Sequence, residues 1–189
     1  AKVICALLEA LPAHLPLVVD PVLVSSSGRR LLDREGEQAL REQLLPRATL
    51  ITPNLDEAAA LLQCQPASSE LDIIDQARAL LDLGPQAVLI KGGHSEGPMA
   101  TDLLLLSDNL VALGEDRQFV FNRPRLRVGN SHGTGCTLSA AICANLAKGE
   151  SLLSAVATAK EFISGALKRA DEFELGSGAG SVHHFHQYY

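Results

Sequence analysis

Residues 48–63 read ATLITPNLDEAAALLQ, and this stretch decides the fold class. Residues 48–53 are a short apolar and β-branched run that predicts a strand, and residues 54–63 continue with the spacing of a helix. Two similar runs, LPLVVDPVLV at 15–24 and QAVLIKGG at 86–93, predict further strands. Because these apolar runs are continuous rather than alternating, they indicate a parallel sheet covered on both faces.

The elements around this centre alternate between helix and strand. Apolar spacing predicts helices over five segments, 2–11, 34–45, 69–83, 134–148 and 151–171. The segments ATDLLLLSDN (100–109) and RQFVFNRPRLRV (117–128) predict antiparallel strands joined by polar turns. This order predicts an α/β fold with a mostly parallel sheet, flanking helices and right-handed crossovers.

The amino-acid composition indicates a globular protein and argues against some classes of partner. The 189 residues suffice for one domain, and 47% hydrophobic with 20% charged residues is typical of a globular protein. Aromatic residues make up only 4%, so aliphatic side chains must fill the core. The formal net charge of −6 argues against a nucleic acid or a membrane surface as partner, because both favour basic patches. A local loop can still bind a small anion.

Cysteine spacing and hydropathy indicate the compartment. The four cysteines form no CxxC pair, so we expect free thiols in a reducing compartment rather than a zinc or thioredoxin motif. No apolar run is long enough to span a bilayer, and a glutamate and a proline interrupt the N-terminal apolar stretch. We therefore expect a cytoplasmic protein. Cys5, Cys64 and Cys143 are interpreted as small core residues.

Polar residues follow the predicted strands, at the carboxyl edge where α/β sheets bind ligands. Asp20 ends the first strand and could position Mg²⁺ or a nucleophile, or cap the local turn. Asn54 and Glu57 have the spacing of a capping box, and alternatively they could hold a hydrated Mg²⁺. Lys91 and the glycines after it, ending at Gly93, suit a phosphate contact, although a lysine extending toward solvent beside a turn gives the same pattern.

The segment GNSHGTGC at 129–136 leads directly into a predicted helix. Gly133 and Gly135 allow a tight turn, and the amides of the last four residues would point outward at the helix N-terminus, where they favour an anion. The segment lacks the Walker pattern, because no Gly-Lys-Ser/Thr follows. The alternative is a simple loop in which Ser131 or Thr134 caps the helix.

Two further features could carry chemistry. Cys136 lies in the first turn of that helix, where it could act as a base or nucleophile, or could be a small core residue. The tail contains His183, His184 and His186. Adjacent histidines point in different directions in a helix or strand, so we expect these side chains to pack rather than to share a metal ion.

Together and in this order, the segments resemble one family. The resemblance is carried by VVDPVLVSSSG (18–28), LLPRATLITPNLDEAAALL (44–62), AVLIKGGH (87–94), NSHGTGCTLSAAICANLAKG (130–149) and VHHFHQYY (182–189). These stretches are similar to the hydroxymethylpyrimidine/phosphomethylpyrimidine kinases, the thiamin-pathway members of the ribokinase-like superfamily. The HGTGC and ITPNxxEA motifs are specific at family level, and the HHFH tail favours pyrimidine kinases over pyridoxal kinases.

The resemblance implies a ribokinase-like three-layer fold and the ATP- and Mg²⁺-dependent phosphorylation of 4-amino-5-hydroxymethyl-2-methylpyrimidine and its monophosphate. It implies that Cys136 deprotonates or orients the substrate hydroxyl, and that the amides from Gly133 to Cys136, Gly135 included, surround the transferring phosphoryl group. It also implies a homodimer. The resemblance implies that the nucleotide is bound by Lys91, Asn54, Gly93 and Thr134. It implies that Mg²⁺ is held by Glu57 and Asp20, and that Val22 lines the substrate pocket.

One part of the family pattern is not in the sequence. The pattern begins with a strand and a Gly-rich segment like SGGAGIQAD, followed by a glutamine that reads the pyrimidine. We therefore expect residues 1–189 to form a single kinase domain without that strand and substrate loop, and to have little activity alone. The alternatives are a pyridoxal or pyridoxine kinase and a non-catalytic ligand-sensing domain, and the set of Cys136, Glu57 and Lys91 argues against the latter.

Overall fold

The structure, a computed structural model, describes residues 2–12, 14–24, 29–92, 97–112, 115–126, 128–172 and 180–188. The strands in these ranges are β1 (Val18–Val19), β2 (Leu50–Ile51), β3 (Ala87–Ile90), β4 (Met99–Leu106) and β5 (Gln118–Pro124). The α-helices are α1 (Lys2–Glu9), α2 (Arg34–Ala39), α3 (Leu55–Leu62), α4 (Glu70–Leu81), α5 (Thr134–Ala147) and α6 (Leu152–Lys168).

The chain divides into two compact units by its internal contacts. The first comprises Ala1–Glu96 and Ala100–Asn122, and it holds β1, β2 and β3. The second comprises Gly97–Met99 and Arg123–Tyr189, and it holds α5 and α6.

The strands form one sheet in the order β1-β2-β3-β4-β5. β1, β2 and β3 are parallel, with Val18 opposite Leu50, whereas β4 is antiparallel to β3, with Leu103 opposite Ile90. All four residues of β3 are buried, while β5 alternates between exposed and half-buried residues, as expected for a central strand and a strand with one face in water. The predicted change from parallel to antiparallel pairing is confirmed.

Aliphatic side chains fill the core of the first unit, as the low aromatic content predicts. Helix α3 packs against α4, and α4 packs against β3. The largest fully buried members of this core are Leu45, Ile51, Leu61, Leu80, Val88 and Ile90. Full burial of one such side chain stabilises the fold by roughly 1.5–3 kcal/mol. This packing holds the carboxyl ends of the three parallel strands at one edge of the sheet.

The strand predicted over 15–24 is wrong in length. β1 contains only two residues, and Val22 and Val24 beyond it are 37% and 46% exposed. Pro16 and Pro21 lie close to either end of β1 and lack the amide hydrogen that sheet pairing needs. The apolar run therefore continues past the point where pairing stops.

The helix predicted over 34–45 is regular only in its first half. It is α-helical in α2, continues as a π-helical segment over Leu40–Leu44, and ends as a 3₁₀ turn over Leu45–Arg47. Asp33 caps α2 by accepting a hydrogen bond from the Gly36 amide. The 3₁₀ turn contains Pro46, which has no amide hydrogen and so cannot continue an α-helical bond pattern.

The cysteine predictions are confirmed only in part. None of the four forms a disulfide, and Cys5 is buried as predicted. Cys64 and Cys143 are exposed, so their interpretation as core residues is wrong. A single small apolar residue does not define a helix face, and in α5 the buried position is taken by the adjacent Ile142.

In the second unit, α5 and α6 pack against each other. Ser151 caps α6 by accepting a hydrogen bond from the amide of Ser154. The tail is anchored where the His183 amide donates to the carbonyl of Ala166 at 3.1 Å, beside the buried Val182. None of the helices within the described ranges is long and apolar enough to cross a membrane.

Candidate active site

Five side chains follow β1, β2 and β3 at the carboxyl edge of the sheet, and we refer to them as the edge cluster: Asp20, Thr52, Asn54, Glu57 and Lys91. The parallel pairing places these residues side by side, as the sequence predicts. The Thr52 amide donates to the strand β1 carbonyl of Val19 at 3.0 Å, and Asn54 forms a parallel bridge with Lys91. The edge cluster lies entirely in the first unit.

The ammonium of Lys91 faces two carboxylates in the edge cluster. Its Nζ lies 2.7 Å from Oδ1 of Asp20 and 4.0 Å from Oε2 of Glu57. The hydroxyl of the fully buried Thr52 donates to the same Asp20 oxygen at 3.2 Å. The side chains of Lys91, Asp20 and Glu57 are 14%, 13% and 7% exposed, so their charges are only weakly screened by water.

Glu57 has a structural and an electrostatic role. Its Oε2 accepts a hydrogen bond from the Asn54 amide, and Oδ1 of Asn54 accepts one from the Glu57 amide, both at 2.8 Å. The predicted capping box at the start of α3 is therefore confirmed. Burial raises the pKa of the Glu57 carboxyl above its ordinary value of 4.5, and the Asn54 and Lys91 interactions that lower this pKa do not offset the burial.

The glycine-containing segment 129–136 leads into α5, as predicted. Gly133 is the N-cap residue, with a φ of 81°, a left-handed conformation that glycine adopts at little cost. No side chain in the described part of the chain caps this helix, so the alternative in which Ser131 or Thr134 caps it is wrong. The Thr134 hydroxyl instead donates to the Ser131 carbonyl at 2.6 Å. A side-chain cap therefore does not compete with an anion at this terminus.

Cys136 lies in the first turn of α5, directly after Gly135. Its side chain is exposed, so the alternative interpretation as a core residue is wrong. Gly135 is absent from the described residues with a positive φ, so it fits the regular helix and only Gly133 requires the conformational freedom of glycine. An exposed thiol beside helix N-terminal amides has the accessibility that a base or nucleophile requires.

Side chains distant in sequence hold the loop before α5. Oδ1 of Asp171 accepts hydrogen bonds from the amides of Gly129 and Asn130, both at 3.0 Å. The Asn130 side chain donates to the Ala170 carbonyl at 3.0 Å and accepts from the Gly180 amide at 2.9 Å. The roles of Asp171 and Asn130 cannot be predicted from the sequence, because their partners lie 40 to 50 positions away, where no local spacing reveals them.

The tail histidines lie in three different environments. His183 is 4% exposed, and Nε2 of His184, which is exposed, lies 3.0 Å from Oγ1 of Thr137 on α5. The ring of His186 lies 4.9 Å from the ring of Phe162, measured between centroids. The prediction of packing is therefore confirmed for His183 and His186, whereas His184 lies at the surface.

The structure does not test the predicted roles of two residues, Gly93 and Val22. Gly93 lies outside the described residues. Val22 is 37% exposed beyond β1, and its amide donates to the carbonyl of Asp20 at 2.9 Å. Its predicted place in a substrate pocket stays a prediction.

Comparisons with known proteins agree with the family resemblance. The family model described as phosphomethylpyrimidine kinase matches residues 1–183. The hydroxymethylpyrimidine/phosphomethylpyrimidine kinase of Rhizobium meliloti (strain 1021) is 47% identical over 172 residues, which cover 91% of this chain and 62% of the relative. The kinase of the same name from Salmonella typhimurium is 45% identical over 173 residues, with coverage of 92% and 62%.

A solved structure supports the same conclusion for the fold. The pyridoxal kinase from Staphylococcus aureus in complex with ADP matches with a TM-score of 0.84 at 31% identity, over 99% of this chain and 64% of that chain. With the mixed sheet, this match defines a ribokinase-like α/β protein, and the predicted fold class is confirmed. The chain belongs to the phosphomethylpyrimidine kinase family. It spans about three fifths of the length of these curated relatives, 62% in both cases.

Proposed function

We propose that this chain carries nucleotide-binding and catalytic groups of an ATP-dependent kinase of thiamin biosynthesis. The substrates are 4-amino-5-hydroxymethyl-2-methylpyrimidine and its monophosphate, and the final product is the diphosphate. Family membership supports this proposal, since the curated relatives carry the corresponding name. The structural observation that supports it best is the ammonium of Lys91 at the carboxyl edge, within 2.7 Å of Asp20 and 4.0 Å of Glu57.

The edge cluster has the donors that a nucleotide phosphate and its Mg²⁺ require. Asp20 and Glu57 offer two carboxylates beside one ammonium, which fits Mg²⁺ because this ion takes one or two protein carboxylates and keeps waters and phosphate oxygens. The described part of the chain has no group of three or more metal-ligating side chains, so water and phosphate would complete the shell. Bound Mg²⁺ would neutralise charge on the transferring phosphoryl group.

The remaining groups of the edge cluster act around this cation. Lys91 supplies a positive charge to the phosphates of ATP, and Gly93, two positions later in the sequence, is proposed to contact the nucleotide with it. Asn54 fixes the orientation of Glu57 through the reciprocal 2.8 Å hydrogen bonds of the capping box. Phosphoryl transfer depends chiefly on positioning and charge stabilisation, and the edge cluster provides both.

The start of α5 supplies the second set of groups in this proposal. The amides of Gly133, Thr134 and Gly135 bind the transferring phosphoryl group as an anion hole, which is favoured by the helix dipole and the lack of a side-chain cap. Cys136 removes or orients the proton of the substrate hydroxymethyl group, and its exposure supports this role. Val22 contributes to the pyrimidine pocket.

We further propose that residues 1–189 belong to one kinase domain and that the protein acts as a cytoplasmic homodimer. The second candidate function is phosphorylation of pyridoxal. It is favoured by the TM-score of 0.84 with the pyridoxal kinase from Staphylococcus aureus. The identity to that protein is 31%, against 47% to the pyrimidine kinase of Rhizobium meliloti, which supports the pyrimidine as the substrate.

A substrate panel tests the proposal. The 189-residue chain is incubated with Mg²⁺ and ATP and, in turn, the hydroxymethylpyrimidine, its monophosphate and pyridoxal, and products are separated by chromatography. We expect weak but measurable pyrimidine phosphorylation that is lost without Mg²⁺. Phosphorylation of pyridoxal without any pyrimidine product would overturn the choice of substrate, and failure to bind ATP would overturn the proposal as a whole.

A further inference from the structure

Asp102 is a buried carboxylate on β4 that no sequence motif distinguishes. Its side chain is 3% exposed, and its Oδ1 accepts a hydrogen bond from the amide of Gly92 at 3.0 Å. Gly92 directly follows Lys91, whose ammonium belongs to the edge cluster. A carboxylate with so little access to water is costly to bury unless hydrogen bonds compensate it, so this contact is a strong constraint on the backbone.

The contact between Asp102 and Gly92 lies just beyond the last paired residues of β3 and β4. β3 and β4 pair in antiparallel register up to Ile90 and Leu103, and the next residues on the two strands are Lys91 and Asp102. Beyond Ile90, the carboxylate of Asp102 accepts from Gly92, where a regular ladder would use a backbone carbonyl.

The backbone around Lys91 is held from both neighbouring strands. On the β2 side, the Lys91 amide donates to the carbonyl of Pro53 at 2.8 Å. On the β4 side, the Gly92 amide donates to Asp102, and a Cβ at Gly92 would collide with the carbonyl oxygen of Thr101. The chain therefore passes β4 at a distance that only glycine permits.

We propose that Asp102 is a positioning residue for Lys91. By holding the Gly92 amide, it fixes the Cα of Lys91 and thereby places the ammonium against Asp20. A lysine side chain has four rotatable bonds, so a backbone displacement at its base would move or disorder the ammonium, and small misplacements weaken binding and catalysis strongly. The consequence for ATP affinity rests on the proposed function, whereas the consequence for Lys91 does not.

Three variants test this proposal. Asp102→Leu removes the acceptor and puts an apolar side chain of similar length in its place, and Asp102→Asn replaces the carboxylate by a neutral acceptor. Leu104→Ala, two positions along β4, is the control because Leu104 is fully buried and pairs with Leu89 within the regular part of the ladder. It reports what a loss of core packing alone does to the measurements.

Two measurements are made on each variant, below its melting temperature. The first is the rate at which an acylating reagent modifies Lys91, followed by peptide mass spectrometry. The second is the Kd for Mg²⁺-ATP from calorimetry. For Asp102→Leu we expect roughly tenfold faster acylation and a roughly tenfold higher Kd, which corresponds to about 1.4 kcal/mol. For Asp102→Asn we expect changes of roughly two- to threefold, because a neutral acceptor bonds more weakly. Leu104→Ala changes neither value.

The results distinguish the positioning role of Asp102 from the proposed kinase function. Acylation of Lys91 in Asp102→Leu at the rate found for Leu104→Ala would overturn the positioning role. If Asp102→Leu does not fold, Asp102→Asn decides, and acylation of Lys91 in Asp102→Asn at the rate of the original chain overturns the positioning role. If the original chain does not bind ATP, the proposed function fails, while the acylation rates still decide the role of Asp102.

Discussion

The ammonium of Lys91 lies 2.7 Å from the carboxylate of Asp20, although 71 positions separate the two residues in the sequence. They meet because Asp20 follows β1 and Lys91 follows β3, and these strands run parallel on either side of β2. Glu57 joins the pair from the first turn of α3, the helix that follows β2. The short connections after three parallel strands thus gather three charges.

The capping box of α3 has a counterpart on α4 that serves as a matched control. Asn54, a member of the edge cluster, caps α3, and the exposed Ser69 caps α4 with Asp72 as its partner. Asn54→Ala and Ser69→Ala should each lower the free energy of unfolding by about 1 kcal/mol, because each removes an N-cap. Only Asn54→Ala should also weaken ATP binding, because losing the acceptor for the Glu57 amide loosens the first turn of α3, which carries Glu57 into the edge cluster, although the backbone amide of residue 54 can still donate to Oε2 of Glu57. Equal ATP affinities in the two variants, measured by calorimetry, would contradict the role of Asn54.

The raised pKa of Glu57 predicts a definite sign for the pH dependence of stability. Above its ordinary pKa of 4.5 the unfolded chain loses this proton, while the folded chain keeps it until the pH reaches the raised pKa. Between these two pKa values the folded state binds more protons than the unfolded state, so the free energy of unfolding falls as the pH rises from one to the other. Below the ordinary pKa both states hold the proton, and this loss of stability is absent.

The variant Glu57→Gln isolates this effect, because the amide oxygen still accepts from the Asn54 amide but the group no longer titrates. We expect the stability of the original chain relative to Glu57→Gln to fall as the pH rises from 4.5, measured by urea unfolding at several pH values. Asp56→Asn, at an exposed position in the same turn, is the control. Parallel pH profiles for the original chain and Glu57→Gln would show that burial does not raise this pKa.

The proposed base at the start of α5 makes a prediction about catalysis rather than stability. In protein that phosphorylates the pyrimidine, Cys136→Ala should lower kcat by roughly 10²- to 10⁴-fold, the range for loss of a general base. Cys143→Ala changes another exposed cysteine of the same helix and should leave kcat within experimental error. If Cys136→Ala and Cys143→Ala have the same kcat, Cys136 is not the catalytic base.

The loop before α5 depends on Asp171, which accepts from two backbone amides. Asp171→Ala should speed hydrogen exchange of the Gly129 and Asn130 amides by roughly five- to tenfold, in line with hydrogen bonds worth about 1 kcal/mol. Glu172→Ala is the matched control, because Glu172 is exposed next in sequence and pairs with Arg169 instead. Unchanged exchange in Asp171→Ala would mean that other contacts hold this loop.

Much of the edge cluster could be predicted from the sequence, for a physical reason. A continuous apolar run indicates a buried parallel strand, and the polar residue after such a run lies at the common carboxyl edge. Asp20, Asn54, Glu57 and Lys91 all follow this rule. The capping box needs only a spacing of three residues, so it too was visible in the sequence.

The residues that hold the backbone around the site could not be predicted in the same way. Asp102 lies in a run that indicates only a strand, and its function depends on where β4 stops following β3. Asp171 and Asn130 pair over 41 positions. Strand length was misjudged at β1 because hydropathy does not register the missing amide hydrogen of proline. The exposure of Cys143 depends on which face of α5 the tertiary packing selects, whereas Cys64 lies just beyond the end of α3.

The binding of Mg²⁺-ATP to the 189-residue chain tests the central claim most directly. Lys91→Met removes the ammonium of the edge cluster, and Lys168→Met removes an exposed lysine from the last turn of α6 as the control. Calorimetry should show saturable binding to the original chain and to Lys168→Met, and at least tenfold weaker binding to Lys91→Met, a loss of about 1.4 kcal/mol or more. Equal affinities for the original chain and Lys91→Met would contradict the assignment of the edge cluster as a nucleotide site.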